Sequence, residues 1–166
     1  MGVPVVDITT GLHAAIGILL ALQERTRSGR GQRVDMALYD CGIALLHPQL
    51  ANFFLSGQEP ARAGNAHPNV APYDLFRTRT VPLFVGAGND GQFRKLCRHL
   101  GLAELADDPR FAGNGQRSLH REALRTALEA ALAQRDAAQV AAELNALGVP
   151  AGPVQQLGQV VAHPHT

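Results

Sequence analysis

The chain has 166 residues, a formal net charge of +1 and 46% hydrophobic residues. The near-neutral charge excludes broad electrostatic attraction to nucleic acid or to a membrane surface, and the apolar content is sufficient for a packed core. Two cysteines cannot build a disulfide framework and the first residues lack the pattern of a secretory signal, so we expect a cytoplasmic location.

The N-terminal segment predicts a short strand over residues 3–6 that ends at Asp7. Residues 8–27 then predict a helix that is apolar on almost every face and is therefore expected to be buried between layers. Gly29 is suited to end this helix. Its most apolar part, residues 12–22, is too short to cross a bilayer, so we expect no membrane partner.

The next segment predicts a short strand over residues 32–36 and a second helix over residues 37–55, which Pro48 kinks or divides. Residues 57–72 are rich in Gly, Ala, Pro and Asn and lack apolar periodicity. They predict a linker or a functional loop.

The C-terminal part predicts a hairpin of strands at residues 73–76 and 81–85, followed by helices. Asn89 with Gln92 has the pattern of a capping box. Further helical segments are expected at residues 103–106, from Ser118 and at residues 157–162. Another helix is expected after Asp136, which caps it together with Gln139. The expected core faces of these helices carry Phe93, Leu96, Cys97, Leu100, Leu124, Leu128, Leu132, Val140, Leu144 and Leu147. Strands and helices together predict a mixed α/β fold.

Asp7 is the candidate for chemistry. A carboxylate at the start of a helix lies near free backbone N–H groups and the positive end of the helix dipole. Asp7 or Thr9 can simply cap the helix. Alternatively, the helix orients an ionised carboxylate that acts as a covalent nucleophile.

Several short motifs follow one another in the order of a family pattern. The N-terminal ones are Asp7 with Gly11, an apolar run at residues 19–22 with Arg25, Ser-Gly-Arg-Gly-Gln at residues 28–32 and Asp-Met-Ala-Leu-Tyr-Asp at residues 35–40. The later ones are Gly-Asn-Ala-His-Pro at residues 64–68, Pro-Tyr-Asp-Leu-Phe at residues 72–76, residues 85–93 and Gly-Val-Pro-Ala-Gly-Pro-Val at residues 148–154. Over nearly its whole length the chain resembles the class III CoA-transferases, whose relatives include the α-methylacyl-CoA racemases.

The resemblance implies CoA transfer from an acyl-CoA to a small carboxylic acid. Asp7 would be the nucleophile that forms an aspartyl-CoA thioester, and the thioester is a substrate, with no permanently bound cofactor. The residues implied to contact CoA or substrate are Gly11, Leu38, Asn65, His67 and Tyr73, although a local hydrogen bond would also explain His67. The loop from Gly64 to Tyr73 resembles a mobile lid, and the family forms interlocked homodimers.

The resemblance also implies a domain division. Residues 1–56 would be a remnant of the large CoA-binding domain with the nucleophile, residues 57–72 the linker or active-site loop, and residues 73–166 a small α+β domain truncated at its end. We therefore expect the chain to be a fragment that is inactive alone. One departure from the family is the turn at residues 77–80, Arg-Thr-Arg-Thr, where a turn such as Asp-Gly is usual.

Three alternatives stay open. Racemisation at the α-carbon would need a histidine upstream of residue 1, and residues 89–93 lack the racemase-like glutamate. A non-catalytic domain that needs another chain is the second. The third is a dinucleotide site, because residues 86–91 match G-x-G-x-x-G, but the required second parallel strand is not predicted. The seven histidines form no metal-binding pattern, so we expect no metal.

Overall fold

A computed structural model describes residues 2–166, and the chain divides into two compact units, the first ending at Ala61 and the second beginning at Arg62. The first unit holds helices α1 (Val5–Ser28), α2 (Leu38–Ala44) and α3 (Gln49–Ser56). The second unit holds strands β1 (Tyr73–Phe76), β2 (Leu83–Gly86) and β3 (Ala151–Pro153), helices α4 (Asp90–His99), α5 (Asn114–Leu119), α6 (Arg121–Leu132), α7 (Ala137–Ala146) and α8 (Leu157–Val161), and a 3₁₀ turn (Ala103–Ala106). The division falls inside the predicted linker, and the assignment of residues 1–56 to a larger CoA-binding domain stays a prediction.

Helix α1 begins earlier than the sequence pattern indicated. The strand predicted for residues 3–6 is wrong, because the helix starts at Val5 directly after Pro4. The amide of Ile8 donates to the Pro4 carbonyl at 3.1 Å, which closes the first helical turn. Asp7 therefore lies within that turn and does not end a strand. The predicted end is confirmed, since Gly29 has φ of 71° and donates to the Arg25 carbonyl.

The surface of α1 differs from the prediction of a buried helix, because none of its residues is buried. Leu12, Leu19 and Leu20 are 61%, 65% and 65% exposed. Within its unit the helix packs against α2, a helix of only seven residues, which is too short to cover it. With 24 residues, α1 is also long and apolar enough to cross a membrane by length and composition alone, contrary to the argument from residues 12–22. A helix covered by other parts of a soluble protein has the same length and composition.

The segment between α1 and α3 confirms one prediction and contradicts another. The strand predicted for residues 32–36 is absent, and these residues are irregular. The described strands all belong to the second unit, so this segment has no strand with which to pair. Pro48 divides the second predicted helix, as expected, and precedes the first residue of α3.

The sheet of the second unit is antiparallel, with strand order β1-β2-β3. The predicted hairpin is confirmed, and its register pairs Tyr73 with Gly86 and Phe76 with Leu83. Strand β3 was not predicted, because Ala-Gly-Pro lacks the β-branched and aromatic residues that favour strands. It forms by pairing with β2, where Pro153 lies opposite Leu83.

The turn at residues 77–80 is held by its threonine hydroxyls. Thr78 Oγ1 donates to the Val81 carbonyl at 2.7 Å and accepts from the Thr80 amide at 3.2 Å. Thr80 Oγ1 accepts from the amide of Ala137 at 3.1 Å, which ties the turn to the start of α7. Side-chain hydrogen bonds thus fix a turn that has no glycine.

The core of the second unit lies between the sheet and helices α4, α6 and α7. The predicted faces are confirmed except at Leu147, which is 40% exposed. Asn89 and Asp136 cap α4 and α7, accepting from the amides of Gln92 and Gln139. The helix start predicted at Ser118 is wrong, because that residue lies inside the separate short helix α5. The largest of the fully buried apolar side chains are Leu83, Val85, Phe93, Leu96, Phe111, Leu124, Leu128, Leu132, Val140, Leu144 and Val149.

Among residues 2–166, Arg117 is the largest fully buried side chain, with 0% exposure. Its guanidinium donates to the carbonyls of Ala71 and Phe111 at 2.7 and 3.0 Å and pairs with Asp90 at 2.7 Å. It also lies 4.5 Å from the centre of the Phe93 ring. One cation therefore joins the end of the loop before β1, the start of α4 and the segment before α5.

We expect Arg117→Met to cost about 3 kcal/mol of the free energy of unfolding. The substitution leaves two buried carbonyls without donors, at about 1–3 kcal/mol each. Urea denaturation of this variant and of Arg94→Met, an exposed arginine of α4 with no such bonds, measures the difference. Equal stability of the two variants would show that the buried bonds contribute nothing.

Asp136 makes the stability of the second unit depend on pH. The Gln139 amide, which donates to the capping carboxylate, lowers the pKa of Asp136, and Thr80 and Arg79 act in the same direction. A lowered pKa in the folded state stabilises the fold above the ordinary aspartate pKa, and this stabilisation is lost as pH falls through the folded value. Asn caps as well as Asp but does not titrate. Thermal melts between pH 7 and pH 3 should therefore give Asp136→Asn a smaller loss of Tm on acidification than the unmodified chain.

Candidate functional site

The carboxylate of Asp7 is exposed in the first turn of α1. No hydrogen bond or ion pair joins its side chain to another residue among residues 2–166. Free backbone N–H groups and the helix dipole favour negative charge at this end of a helix. Asp7 is thus an accessible carboxylate and does not act as the cap, which is Pro4. The capping interpretation, for Asp7 and Thr9 alike, is wrong.

Gly11 lies one helical turn after Asp7 and leaves the space beside it open. A Cβ built on Gly11 would meet no atom within 4 Å. The neighbouring polar groups are occupied elsewhere, since Thr10 Oγ1 donates to the Val6 carbonyl at 2.7 Å and His13 Nδ1 bonds to the Thr9 carbonyl at 2.8 Å. The structure therefore places Asp7 and Gly11 together on a clear part of the helix surface.

Leu38 is the first residue of α2 and is 53% exposed. One turn later, a Cβ on Gly42 would lie 3.8 Å from the Val6 side chain, so this face of α2 lies against the first turn of α1. Leu38 and the Asp7 turn therefore belong to the same end of the first unit.

In the second unit, the structure brings together His67 and Tyr73 but not Asn65. The His67 and Tyr73 rings meet edge to face with centroids 5.2 Å apart, and the His67 amide donates to the Tyr73 carbonyl at 2.9 Å. His67 Nδ1 accepts from the Asn69 amide at 3.1 Å, so the local hydrogen bond expected of this histidine is present. Asn65 is exposed.

The predicted loop, residues 57–72, has two parts with different hydrogen bonding. Residues 57–65 are exposed. Beyond them, Asn114 accepts from the Ala71 amide at 3.0 Å and donates to the Asn69 carbonyl at 2.6 Å. Arg121 donates to the His67 carbonyl at 2.8 Å. Mobility is therefore expected for residues 57–65 and much less for residues 66–72.

A charged network near this loop was not recognised in the sequence. Arg125 pairs with the buried Asp74 and with Glu129, and it donates to the Leu75 carbonyl. Arg121 lies one turn earlier on α6. Asp74 and Arg125 are 51 residues apart. The four-residue spacing of the two arginines beside the apolar leucines was the only local signal of a shared polar face.

Other candidate groups have structural roles. The glycine-rich residues 86–91 follow β2, whose described neighbours are both antiparallel, so the parallel pair of a dinucleotide fold is not formed here. The Gly88 amide donates to Gln92 at 2.8 Å. Burial raises the pKa of Cys97 to about 12, which keeps this thiol protonated and unreactive. Among residues 2–166, no group of three or more His, Cys, Asp or Glu could hold a metal ion.

The model of CoA-transferase family III matches residues 1–166, and the chain belongs to this family. It is 40% identical over 163 residues to the succinate–glutarate CoA-transferase of Agrobacterium fabrum, a match that covers 98% of this chain and 41% of that protein. It is 37% identical over 165 residues to the acetyl-CoA:oxalate CoA-transferase of Acetobacter aceti, covering 99% of this chain and 42% of the relative.

Solved structures agree with this assignment. A CaiB/BaiF family protein from Brucella suis is 45% identical with a TM-score of 0.72, and the match covers 99% of this chain and 44% of that one. Rv3272 from Mycobacterium tuberculosis is 30% identical with a TM-score of 0.84, covering 99% and 43%. The mixed α/β fold, part of the class III CoA-transferase fold, is thereby confirmed. The chain spans less than half the length of the relatives it matches.

Proposed function

We propose that this chain serves the transfer of CoA from an acyl-CoA to a small carboxylic acid, with Asp7 as the nucleophile. The observation that carries the proposal is the exposed, unpaired Asp7 in the first turn of α1, beside the open space at Gly11. Relatives named as CoA-transferases for succinate, glutarate, oxalate and citramalate support the reaction class.

The proposed reaction divides one acyl exchange into easier steps. The Asp7 carboxylate attacks the thioester carbonyl and CoA thiolate leaves, which gives a mixed anhydride. The thiolate then attacks the aspartyl carbonyl, releases the donor acid and forms an aspartyl-CoA thioester. An acceptor carboxylate repeats the two steps in reverse. The thioester is the substrate throughout, so the reaction needs no permanently bound cofactor.

The surroundings of Asp7 support this role. An attacking carboxylate must be ionised and must have room for a thioester. The first turn of a helix favours the negative charge, and no described side chain competes for the oxygens. Gly11 is costly in a helix interior, by about 1 kcal/mol relative to Ala, and packing does not require it, because a Cβ there would have space. A glycine at position 11 is explained if the substrate needs open space beside Asp7.

We expect Asp7→Ala to lower CoA transfer by roughly a thousandfold or more in a protein of the relatives' length that contains this sequence. Hydroxylamine added with the acyl-CoA should convert Asp7 alone to a hydroxamate, which peptide mass spectrometry locates. Asp107→Ala, which removes an exposed aspartate of the second unit, is the matched control and should keep full transfer.

Two results would contradict the assignment. Full transfer by Asp7→Ala would exclude Asp7 as the nucleophile. Exchange of the α-proton with deuterated solvent, without transfer between acids, would support the racemase alternative instead.

We further propose that a second copy of the same protein covers the apolar surface of α1 and that the protein is cytoplasmic. The large exposed leucines of α1 support an interface, because contiguous apolar surface of this kind marks an interaction site. Charged residues lie at both ends of the helix, namely Asp7, Glu24, Arg25 and Arg27. They are compatible with either a protein or a membrane partner, so binding to each partner needs its own measurement.

We expect the 166-residue chain alone to self-associate and to show no CoA transfer. Leu19→Lys should raise the dissociation constant of the assembly about tenfold or more, because a buried leucine contributes roughly 1.5–3 kcal/mol. The control is Leu119→Lys, which changes a leucine that is 77% exposed on α5. Analytical ultracentrifugation measures the association.

A monodisperse monomer with measurable transfer would contradict both the interface and the expected inactivity. Flotation of the chain with neutral lipid vesicles, lost in Leu19→Lys, would show that α1 binds a membrane and not a second copy.

A further inference from the structure

A cavity of about 330 Å³ lies wholly within the second unit, between the loop at residues 62–68 and the first turns of α6. The space is open to solvent, so the volume of about 330 Å³ is that of an open pocket. This is the lower end of the range for small-molecule sites, about 300–1,000 Å³. The cavity therefore suits a ligand of a few non-hydrogen atoms.

The charged groups of the cavity wall leave a net positive charge. Three arginines and two carboxylates line it, namely Arg62, Arg121, Arg125, Asp74 and Glu122. The pairing of Arg125 with Asp74 cancels one charge of each sign within the wall. The charges that remain in the wall are the two guanidinium groups of Arg62 and Arg121 and the single carboxylate of Glu122, which is exposed.

The two remaining arginines have donors to offer. Arg121 uses Nη2 for the His67 carbonyl, and a guanidinium has five N–H donors in all. No hydrogen bond or ion pair joins the Arg62 side chain to another residue of the described part of the chain. The backbone anchor at His67 fixes Arg121 at the wall, so its other N–H groups are already ordered before any ligand binds.

We propose that this cavity binds a small carboxylate anion, which Arg121 holds by paired N–H donors and Arg62 holds at the cavity edge. Guanidinium groups match the planar carboxylate with two parallel hydrogen bonds. The binding needs neither Asp7 nor a thioester, so this inference goes beyond the proposed transfer and can fail independently of it.

The experiment is an NMR titration of the full chain with sodium succinate at constant ionic strength. The arginine Nε–Hε signals report binding at the two guanidinium groups directly. We expect the signals of Arg121 and Arg62 to shift with succinate and not with succinamide, a neutral molecule of similar shape. Arg121→Gln should raise the dissociation constant at least tenfold, because it removes charge-assisted hydrogen bonds.

Two further variants keep the test decisive if Arg121→Gln loosens the loop at His67. Arg62→Gln removes a side chain without bonds to the described residues, so it leaves the fold unchanged, and it should weaken binding several-fold. Arg94→Gln makes the same charge change on α4, outside the cavity, and should leave the dissociation constant unchanged. Equal binding by Arg62→Gln and Arg94→Gln would overturn the proposal. Binding of succinamide as tight as succinate, or displacement of succinate by an equal concentration of inorganic phosphate, would also overturn it.

Discussion

The order of the second unit depends on the burial of one positive charge. Arg117 has no contact with solvent, so its guanidinium must find acceptors within the fold, and it finds them on three separate segments. Burying a cation is costly unless it is paired and hydrogen-bonded. Arg117 therefore fixes three segments relative to one another: the loop before β1, the start of α4 and the segment before α5. Any other arrangement of these segments would leave the guanidinium exposed to solvent or buried without acceptors. The loop around His67 is held in addition by hydrogen bonds to the side chains of Asn114 and Arg121.

The two units differ in how they obtain stability. The apolar core belongs to the second unit, whereas Cys41 is the one buried side chain among the described residues of the first. The candidate nucleophile thus stands on a helix that has little burial of its own. The precision that a nucleophile needs comes from rigid surroundings. Helix α1 has no buried residue that would supply this rigidity.

The sequence could predict those parts of the fold that local chemistry determines. The caps at Asn89 and Asp136 and the four-residue spacing of the α6 leucines rest on contacts within a few residues, and these expectations were confirmed. Strand β3 depends on pairing with a distant strand, and the Asp74–Arg125 pair joins residues 51 positions apart, so neither has a local signature. The role expected for Asp7 came from the family pattern. Physical chemistry alone favoured a capping role for Asp7, and the structure shows that Pro4 occupies the capping position instead.

The turn between β1 and β2 has a consequence for how this protein can change. A glycine turn depends on one backbone conformation, and the residues beside it can vary freely. Here the hydroxyls of Thr78 and Thr80 satisfy the backbone of the turn and of α7 together. Replacement of Thr80 alone removes the acceptor for the Ala137 amide. A glycine turn at this position would not supply another acceptor. Because the bond is made to a backbone amide, a residue without a side-chain acceptor at position 80 leaves the start of α7 unsatisfied, whichever residue stands at position 137.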